Sequence, residues 1–240
     1  MEARSTSISR EIFIEASIGT VWSALTKTEE RNRWETRSCT LELKVGGRAT
    51  FDYGWGVTSE GVITELVPYE KMTIQYEQDN LTIWTLSAEE NGTRVTVTYI
   101  GLWLGDEGHM MMENMALGTK LLLLNFKSVL EDNKDLRKAF WKNWLAISST
   151  SIRPDHHEKY KVKRGVLVLK VKEGTEVSKQ LYAQDIIVKA NGKDIHTYED
   201  LELLLTEIAP QGMLSLTVVR NGIEKDIKVH VLPYPVPHSA

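Results

Sequence analysis

The chain has 240 residues, of which 42% are hydrophobic and 26% charged, and its formal net charge at pH 7 is -4. That length accommodates one or two domains, each able to bury a core of its own. The near balance of charge excludes an overall electrostatic footprint for nucleic acid, and the richest apolar run, Lys120-Leu-Leu-Leu-Leu-Asn-Phe-Lys127, is too short to span a bilayer.

The opening residues, Met1 to Arg10, hold no apolar stretch of the secretory kind, so a cytoplasmic location is expected. Alternation predicts a strand over Glu11 to Glu15, and Ser17 is placed to cap a helix carrying Ile18, Val21, Trp22 and Leu25 on one face. Cys39 has no partner for an internal disulfide or a structural zinc site and reads as a buried strand residue. Strands are predicted at Thr40 to Val45, Arg48 to Tyr53, Gly61 to Leu66, Met72 to Tyr76, Leu81 to Ala88 and Thr93 to Tyr99, with Asn91-Gly92 as a hairpin signal. A long helix follows over about Met110 to Glu131, with Met112, Met115, Ala116, Leu122, Leu123, Phe126 and Leu130 near helical spacing.

A domain boundary is placed near residue 137, giving domains over residues 1–136 and 137–240. Beyond it, strands are predicted at Leu145 to Ser149, Gly165 to Val171, Asp185 to Ala190, Met213 to Arg220 and Ile223 to Val231. A helix over Tyr198 to Ile208 shows a capping-box pair, Thr197 and Asp200, and an apolar stripe of Leu201, Leu204, Leu205 and Ile208. The tail Pro233-Tyr-Pro-Val-Pro-His238 favours extended geometry.

Two resemblances rest on these residues. Val21-Trp22-Ser-Ala-Leu-Thr, Arg33-Trp34, Val45-Gly46-Gly47-Arg48, Gly61-Val-Ile-Thr-Glu-Leu-Val-Pro68, Gly92-Thr93-Arg94-Val-Thr-Val-Thr and Val129-Leu130-Glu131 resemble the START-like (SRPBCC) proteins of the heat-shock chaperone ATPase activator group. Gly165-Val-Leu-Val-Leu-Lys-Val, Gly174, Gln184-Asp185-Ile186-Ile187-Val188, Asn191-Gly192-Lys193 and Arg220-Asn221-Gly222 resemble a PDZ domain of the bacterial protease-associated type. The implied fold class is α+β: a helix-grip domain, with an antiparallel sheet around a long C-terminal helix, followed by a PDZ β-sandwich or barrel with a groove helix.

The helix-grip resemblance implies a cavity lined by Phe51, Tyr53, Trp55, Trp84, Tyr99, Trp103, Met111 and Met112. Packed core with a methionine-rich loop is an equally open reading of the same residues. Glu42, Asp52, Glu60, Glu65 and His109 are acid-base candidates without a spacing that demands contact. By resemblance to PDZ domains, Trp144, Leu145, Ala146 and Ile147 form the loop that receives a peptide terminus, and Leu201 and Leu205 the wall of its groove. Lys161, Lys163 and Arg164 are placed to attract a carboxylate, or to form a solvated face.

Three positions depart from the PDZ pattern, which has glycine where this chain has Ala146, Gln180 and Gln184. Asp155-His156-His157-Glu158 reads as a solvated connector, because adjacent residues project in different directions. No motif nominates a cofactor, a metal or a protease centre. The implied function is a non-enzymatic adaptor that holds a hydrophobic small molecule or client in one domain and a protein C-terminus or internal peptide in the other. An enzyme acting on a hydrophobic substrate in the first cavity, and a co-chaperone stimulating a chaperone ATPase, are the alternatives.

Overall fold

Residues alternating between the two faces of a sheet, Thr6–Ile14, form β1, and Ser17 then stops the strand and starts helix α1, Ile18–Thr26. The Ser17 hydroxyl accepts from the Thr20 N–H at 3.2 Å, satisfying one of the donors a helix start leaves open. In the computed structural model, residues 6–54, 56–77 and 80–234 are described. They fall into two units: one holds the described residues up to Trp103 with Met115–Lys138, the other Leu104–Asn114 with the described residues from Ala139 on.

In the first unit α1 leads into the short α2, Thr28–Asn32, and then to β2 (Ser38–Leu41), β3 (Arg48–Asp52), β4 (Thr58–Val67), β5 (Lys71–Gln75), β6 (Leu81–Glu89) and β7 (Gly92–Gly101). Every pairing is antiparallel, in the order β1-β7-β6-β5-β4-β3-β2. The β6–β7 hairpin forms where Asn91-Gly92 predicts it, but Glu89 pairs with Gly92, so Glu90 and Asn91 make the turn. Glycine is needed at 92 for a different reason: a Cβ there would lie 2.2 Å from the Ile14 carbonyl oxygen of the neighbouring strand.

Helix α3, Gly105–Asp132, starts five residues before the predicted one, and its first ten residues belong to the second unit. From Met115 on it presents Leu123, Phe126 and Val129 to the core of the first unit. Trp34, fully buried, stacks on Phe126 with centroids 4.0 Å apart and meets Trp84 edge-on at 5.9 Å. Its indole N–H donates to the Ala24 carbonyl at 2.9 Å, so the polar edge of this aromatic is satisfied inside the core. Cys39 is a buried strand residue, as expected.

After α4, Arg137–Phe140, the second unit is built from β8 (Asn143–Trp144), β9 (Ile147–Ser151), α5 (His157–Tyr160), β10 (Val166–Val171), β11 (Ile186–Ala190), β12 (Lys193–Asp194), α6 (Tyr198–Glu207), β13 (Met213–Arg220), β14 (Ile223–His230) and β15 (Leu232–Pro233). The main sheet runs β14-β13-β11-β10-β9, with β12 beside β11, and β15 pairs with β8. Asn221 and Gly222 turn the β13–β14 hairpin at φ 52° and 77°, the left-handed pair of a primed turn. Gly165 enters β10 at φ 130°, where a Cβ would press within 2.8 Å of the Ile187 carbonyl oxygen.

The capping box of α6 is formed as its sequence predicts, with Asp200 N–H to the Thr197 hydroxyl at 3.2 Å and Thr197 N–H to the Asp200 carboxylate at 2.9 Å. At the other end the Asn143 side-chain amide donates to the carbonyls of Leu205 (2.9 Å) and Ile208 (2.8 Å), closing the helix against β8. Leu201 and Leu205 are 0% and 2% exposed, inside the core with Val166, Val168, Ile187, Leu214, Leu216 and Val218. Two charged side chains clamp the β11 entrance: Arg220 donates to both carboxylate oxygens of the buried Asp185 at 2.7 Å each.

Candidate functional site

The interior of the first unit contains an ion pair that its sequence pattern does not nominate. Arg31, in α2, and Glu35, one turn beyond, are 2% and 4% exposed and bonded to each other. Arg31 also donates to the Leu25 carbonyl at 2.9 Å, and its guanidinium carbon lies 4.5 Å from the Phe51 ring centre, 5.5 Å from Trp84 and 5.8 Å from Trp34. Burial works against the charge on Arg31, and the adjacent Glu35 carboxylate more than offsets it, leaving the guanidinium pKa raised.

Around this pair stand Tyr53, Tyr76 and Tyr99. Burial pushes all three phenols up, Tyr99 to about 12, and each feels the Glu35 carboxylate. The Tyr53 hydroxyl meets Ser59 at 3.4 Å, Tyr76 bonds the Thr82 side chain and Tyr99 that of Thr119.

Of the predicted cavity residues, Phe51 and Trp84 are therefore core, wrapped on Arg31, while Tyr53 and Tyr99 are half-buried at its margin. Trp103 is half-buried, and Trp55 lies outside the described residues. Met111, 59% exposed, and the half-buried Met112 fall in the second unit with His109. Asp52 is tied to Arg37 and to the Gly54 N–H, which hold its carboxyl below the usual range. A surface depression of about 320 Å³ in this unit is lined by Ser38, Thr40, Thr50, Asp52, Ser59 and Glu60, with Phe51 and Cys39 beneath.

In the second unit, β9 ends the sheet, so its outer row of N–H and C=O groups is paired with no other strand. The Ile152 N–H donates to Gly165 and the Val168 N–H to Asp185, which leaves the N–H groups of Ser149 and Ser151 directed away from β10. Of the four residues predicted to receive a peptide terminus, Trp144 ends β8 and Ile147 begins β9, both half-buried, and Leu145 and Ala146 between them are each 1% exposed. Ala146 takes φ 55°, the left-handed conformation that its β-carbon disfavours. Gln184 likewise takes φ 73°, whereas Gln180 adopts φ -121° and closes a 3-10 turn, so one of the two glycine positions is strained and the other rebuilt.

Helix α6 meets β9 where the Tyr198 N–H donates to the Ser151 hydroxyl at 2.8 Å. Leu201 and Leu205 are packed in the core, and Tyr198 and Glu202, one turn apart beside that stripe, are half-buried. Burial pushes the Glu202 carboxyl up to about 7, and that of Tyr198 and Tyr234 raises both phenols, with Glu202 adding to each.

At the Ser151 end of β9 lies the part of α3 up to Asn114, which belongs to this unit. Glu113 Oε2 accepts from the Ser151 N–H at 2.9 Å and from the Thr150 hydroxyl at 2.8 Å, and Oε1 accepts from the Ser151 hydroxyl. Thr150 Oγ1 in turn accepts from His109 Nδ1 at 2.7 Å, the Ser151 hydroxyl oxygen accepts from the Tyr198 N–H at 2.8 Å, and the Tyr198 hydroxyl donates to Asn114.

The predicted solvated connector at 155–158 is corrected at one residue. His156 is 7% exposed, with Nε2 2.9 Å from Asp106, where Arg153 also binds at 2.6 Å. Asp155 is exposed, and Arg153 holds its carboxyl at about 2. Lys161, Lys163 and Arg164 are exposed. Among the described residues no cluster of His, Cys, Asp and Glu is arranged to hold a metal ion, and no helix is long and apolar enough to cross a membrane.

Comparisons with known proteins divide the chain in two. Residues 15–131 match the family described as Activator of Hsp90 ATPase homolog 1-like protein, and residues 145–231 match the PDZ domain family. A crystal structure of a protein from Staphylococcus saprophyticus is 16% identical with a TM-score of 0.50, over 55% of this chain and 96% of that one, and shares the fold. The solution structure of the Aha1 dimer from Colwellia psychrerythraea is 24% identical with a TM-score of 0.49, over 54% of this chain and 98% of that one. A curated relative from Hahella chejuensis, "Probable periplasmic serine endoprotease DegP-like", is 31% identical over 97 residues. The match takes in 39% of this chain and 21% of that protein's length.

Proposed function

We propose that this chain, which joins a domain of the activator of Hsp90 ATPase homolog 1-like type to a PDZ domain, is a binding protein whose PDZ unit takes up an extended segment of a partner protein. The observation that carries this reading is the terminal position of β9 in its sheet, with α6 set against it through the Tyr198 N–H and the Ser151 hydroxyl. A strand added there gains main-chain hydrogen bonds from Ser149 and Ser151, and its alternate side chains meet α6. The left-handed turn at Ala146, just ahead of β9, is the kind of backbone conformation from which anion-binding nests are built, which favours a carboxy-terminal segment over an internal one.

The test is a selection from a displayed carboxy-terminal peptide library on the whole chain, followed by calorimetric titration of the enriched peptides. Saturable one-to-one binding, weakened by Ser149→Pro, supports the reading. Proline there removes an outward donor from an edge strand that tolerates it. Binding unaffected by that change would place the peptide elsewhere and defeat the assignment.

A second reading concerns the first unit and is favoured by the convergence of Tyr53, Tyr76 and Tyr99 on the Arg31–Glu35 pair. A small apolar molecule with a hydrogen-bonding head fits such a margin, where polar tips meet an aromatic core. Native mass spectrometry of the gently purified chain supports this by a stoichiometric adduct in the wild type that Tyr99→Phe diminishes.

A further inference from the structure

Glu113 stands on the row of β9 donors that an added strand would use. Taking peptide addition at that edge as its basis, we infer that residues 106–114 are an intramolecular occupant of the edge, and that a partner segment pairs along Ser149–Ser151 only after the Glu113 carboxylate has left.

The geometry supports this in three ways. The Ser151 N–H is the donor that an added strand's carbonyl would take, and Glu113 Oε2 already stands 2.9 Å from it. One N–H serves one strong acceptor, so the two occupants exclude each other. Glu113 also bridges both walls of the groove, because the Ser151 hydroxyl that donates to it accepts the first N–H of α6, from Tyr198, at 2.8 Å.

Exposure along β9 follows the same division. Ile147 and Ser148, next to the loop, are half-buried, whereas Ser149, Thr150 and Ser151 are 3%, 0% and 8% exposed. The occupant is held on its other side by Arg153 on Asp106 at 2.6 Å and Lys170 on Glu107 at 2.9 Å, and by Asn114 accepting from the Tyr198 hydroxyl. None of these contacts uses a main-chain donor of β9, so Glu113 is the group that contends directly with a peptide backbone. When the competent state is a small fraction of the whole, apparent affinity is reduced by that fraction.

The experiment uses the full chain, a fluorescent pool of octapeptides with randomised sequence and a free carboxylate, and two readouts: anisotropy, and hydrogen exchange at the Ser151 amide. Glu113→Ala is expected to raise pool affinity by about tenfold or more and to speed Ser151 exchange in the peptide-free chain. Glu113→Gln, which keeps the side-chain length and one carbonyl oxygen, is expected to do both to a smaller extent and serves if the alanine variant does not fold. Glu176→Gln, whose exposed carboxylate pairs with Lys179 and takes no part in holding the occupant, is the control and leaves Ser151 exchange as in the wild type. Equal pool affinity in wild type and Glu113 variants overturns this inference alone, as does a Ser151 amide that exchanges freely in the wild type. Absence of pool binding in every form overturns peptide addition at β9 and this inference with it, and is told apart from the first failure because no affinity exists to compare.

Discussion

The guanidinium of Arg31 is bonded to the carboxylate of Glu35 at the centre of an aromatic core, where the two residues are 2% and 4% exposed. Removing one partner leaves the other charged and unpaired in a medium that solvates it poorly. Glu35→Ala is therefore expected to lower the stability of the first unit by about 3–5 kcal/mol in urea denaturation. Replacing both, as Arg31→Met with Glu35→Leu, restores most of that loss. Equal losses in the single and double variants would contradict this account of the pair.

The Asp185–Arg220 clamp makes a geometric prediction. Arg220 binds both oxygens of a carboxylate that is 1% exposed, donates to the Gln180 carbonyl at 2.7 Å and covers the Tyr182 ring at 4.3 Å. A lysine restores the charge without the planar fork. Arg220→Ala is expected to cost about 2–4 kcal/mol, and Arg220→Lys to recover less than half of it. Thermal denaturation of the two variants measures the ratio.

Backbone strain at two non-glycine residues gives a prediction of opposite sign. Ala146 at φ 55° and Gln184 at φ 73° both carry the steric cost of a β-carbon in the left-handed region. Ala146→Gly and Gln184→Gly each relieve that strain and lose unfolded-state restriction, for a net gain of up to about 1 kcal/mol. Denaturation midpoints that fall in both variants would show the conformations to be unstrained.

Glu202 sets a pH dependence. Its carboxyl titrates near 7 in the folded chain because burial disfavours the charge, against about 4.3 when unfolded. The folded state thus holds the proton more tightly, and stability is full below the unfolded value and declines as pH rises from about 4.3 towards 7. The decline is at most about 4 kcal/mol, and smaller because the side chain keeps partial contact with solvent. Glu202→Gln is expected to flatten this part of the stability profile, read by denaturation at fixed intervals of pH.

Much of the fold was legible because each signal was local. Ser17, the Thr197–Asp200 pair and Asn221-Gly222 act within four residues of themselves, and the structure places each where the pattern does. Arg31 and Glu35 were not legible: charges four apart on a helix ordinarily lie on a solvated face, and only the surrounding Phe51, Trp34 and Trp84 bury them. The same holds for α3. Met111 and Met112 read as apolar lining, whereas the residues with definite hydrogen bonds are the polar ones that flank them, His109, Glu113 and Asn114, whose hydrogen-bond partners lie 37 or more residues away. The α6 stripe was correctly periodic, but periodicity marks the face that is buried and says nothing of the neighbouring face, where Tyr198 and Glu202 sit.

The most direct test of strand addition at β9 is a titration of the isotope-labelled whole chain with a peptide enriched from the displayed carboxy-terminal library, followed by amide resonances. The account predicts shifts concentrated at Ile147 to Ser151 and at Tyr198 and Glu202, with new exchange protection at Ser149. Shifts that spare β9 and gather on another surface would contradict it.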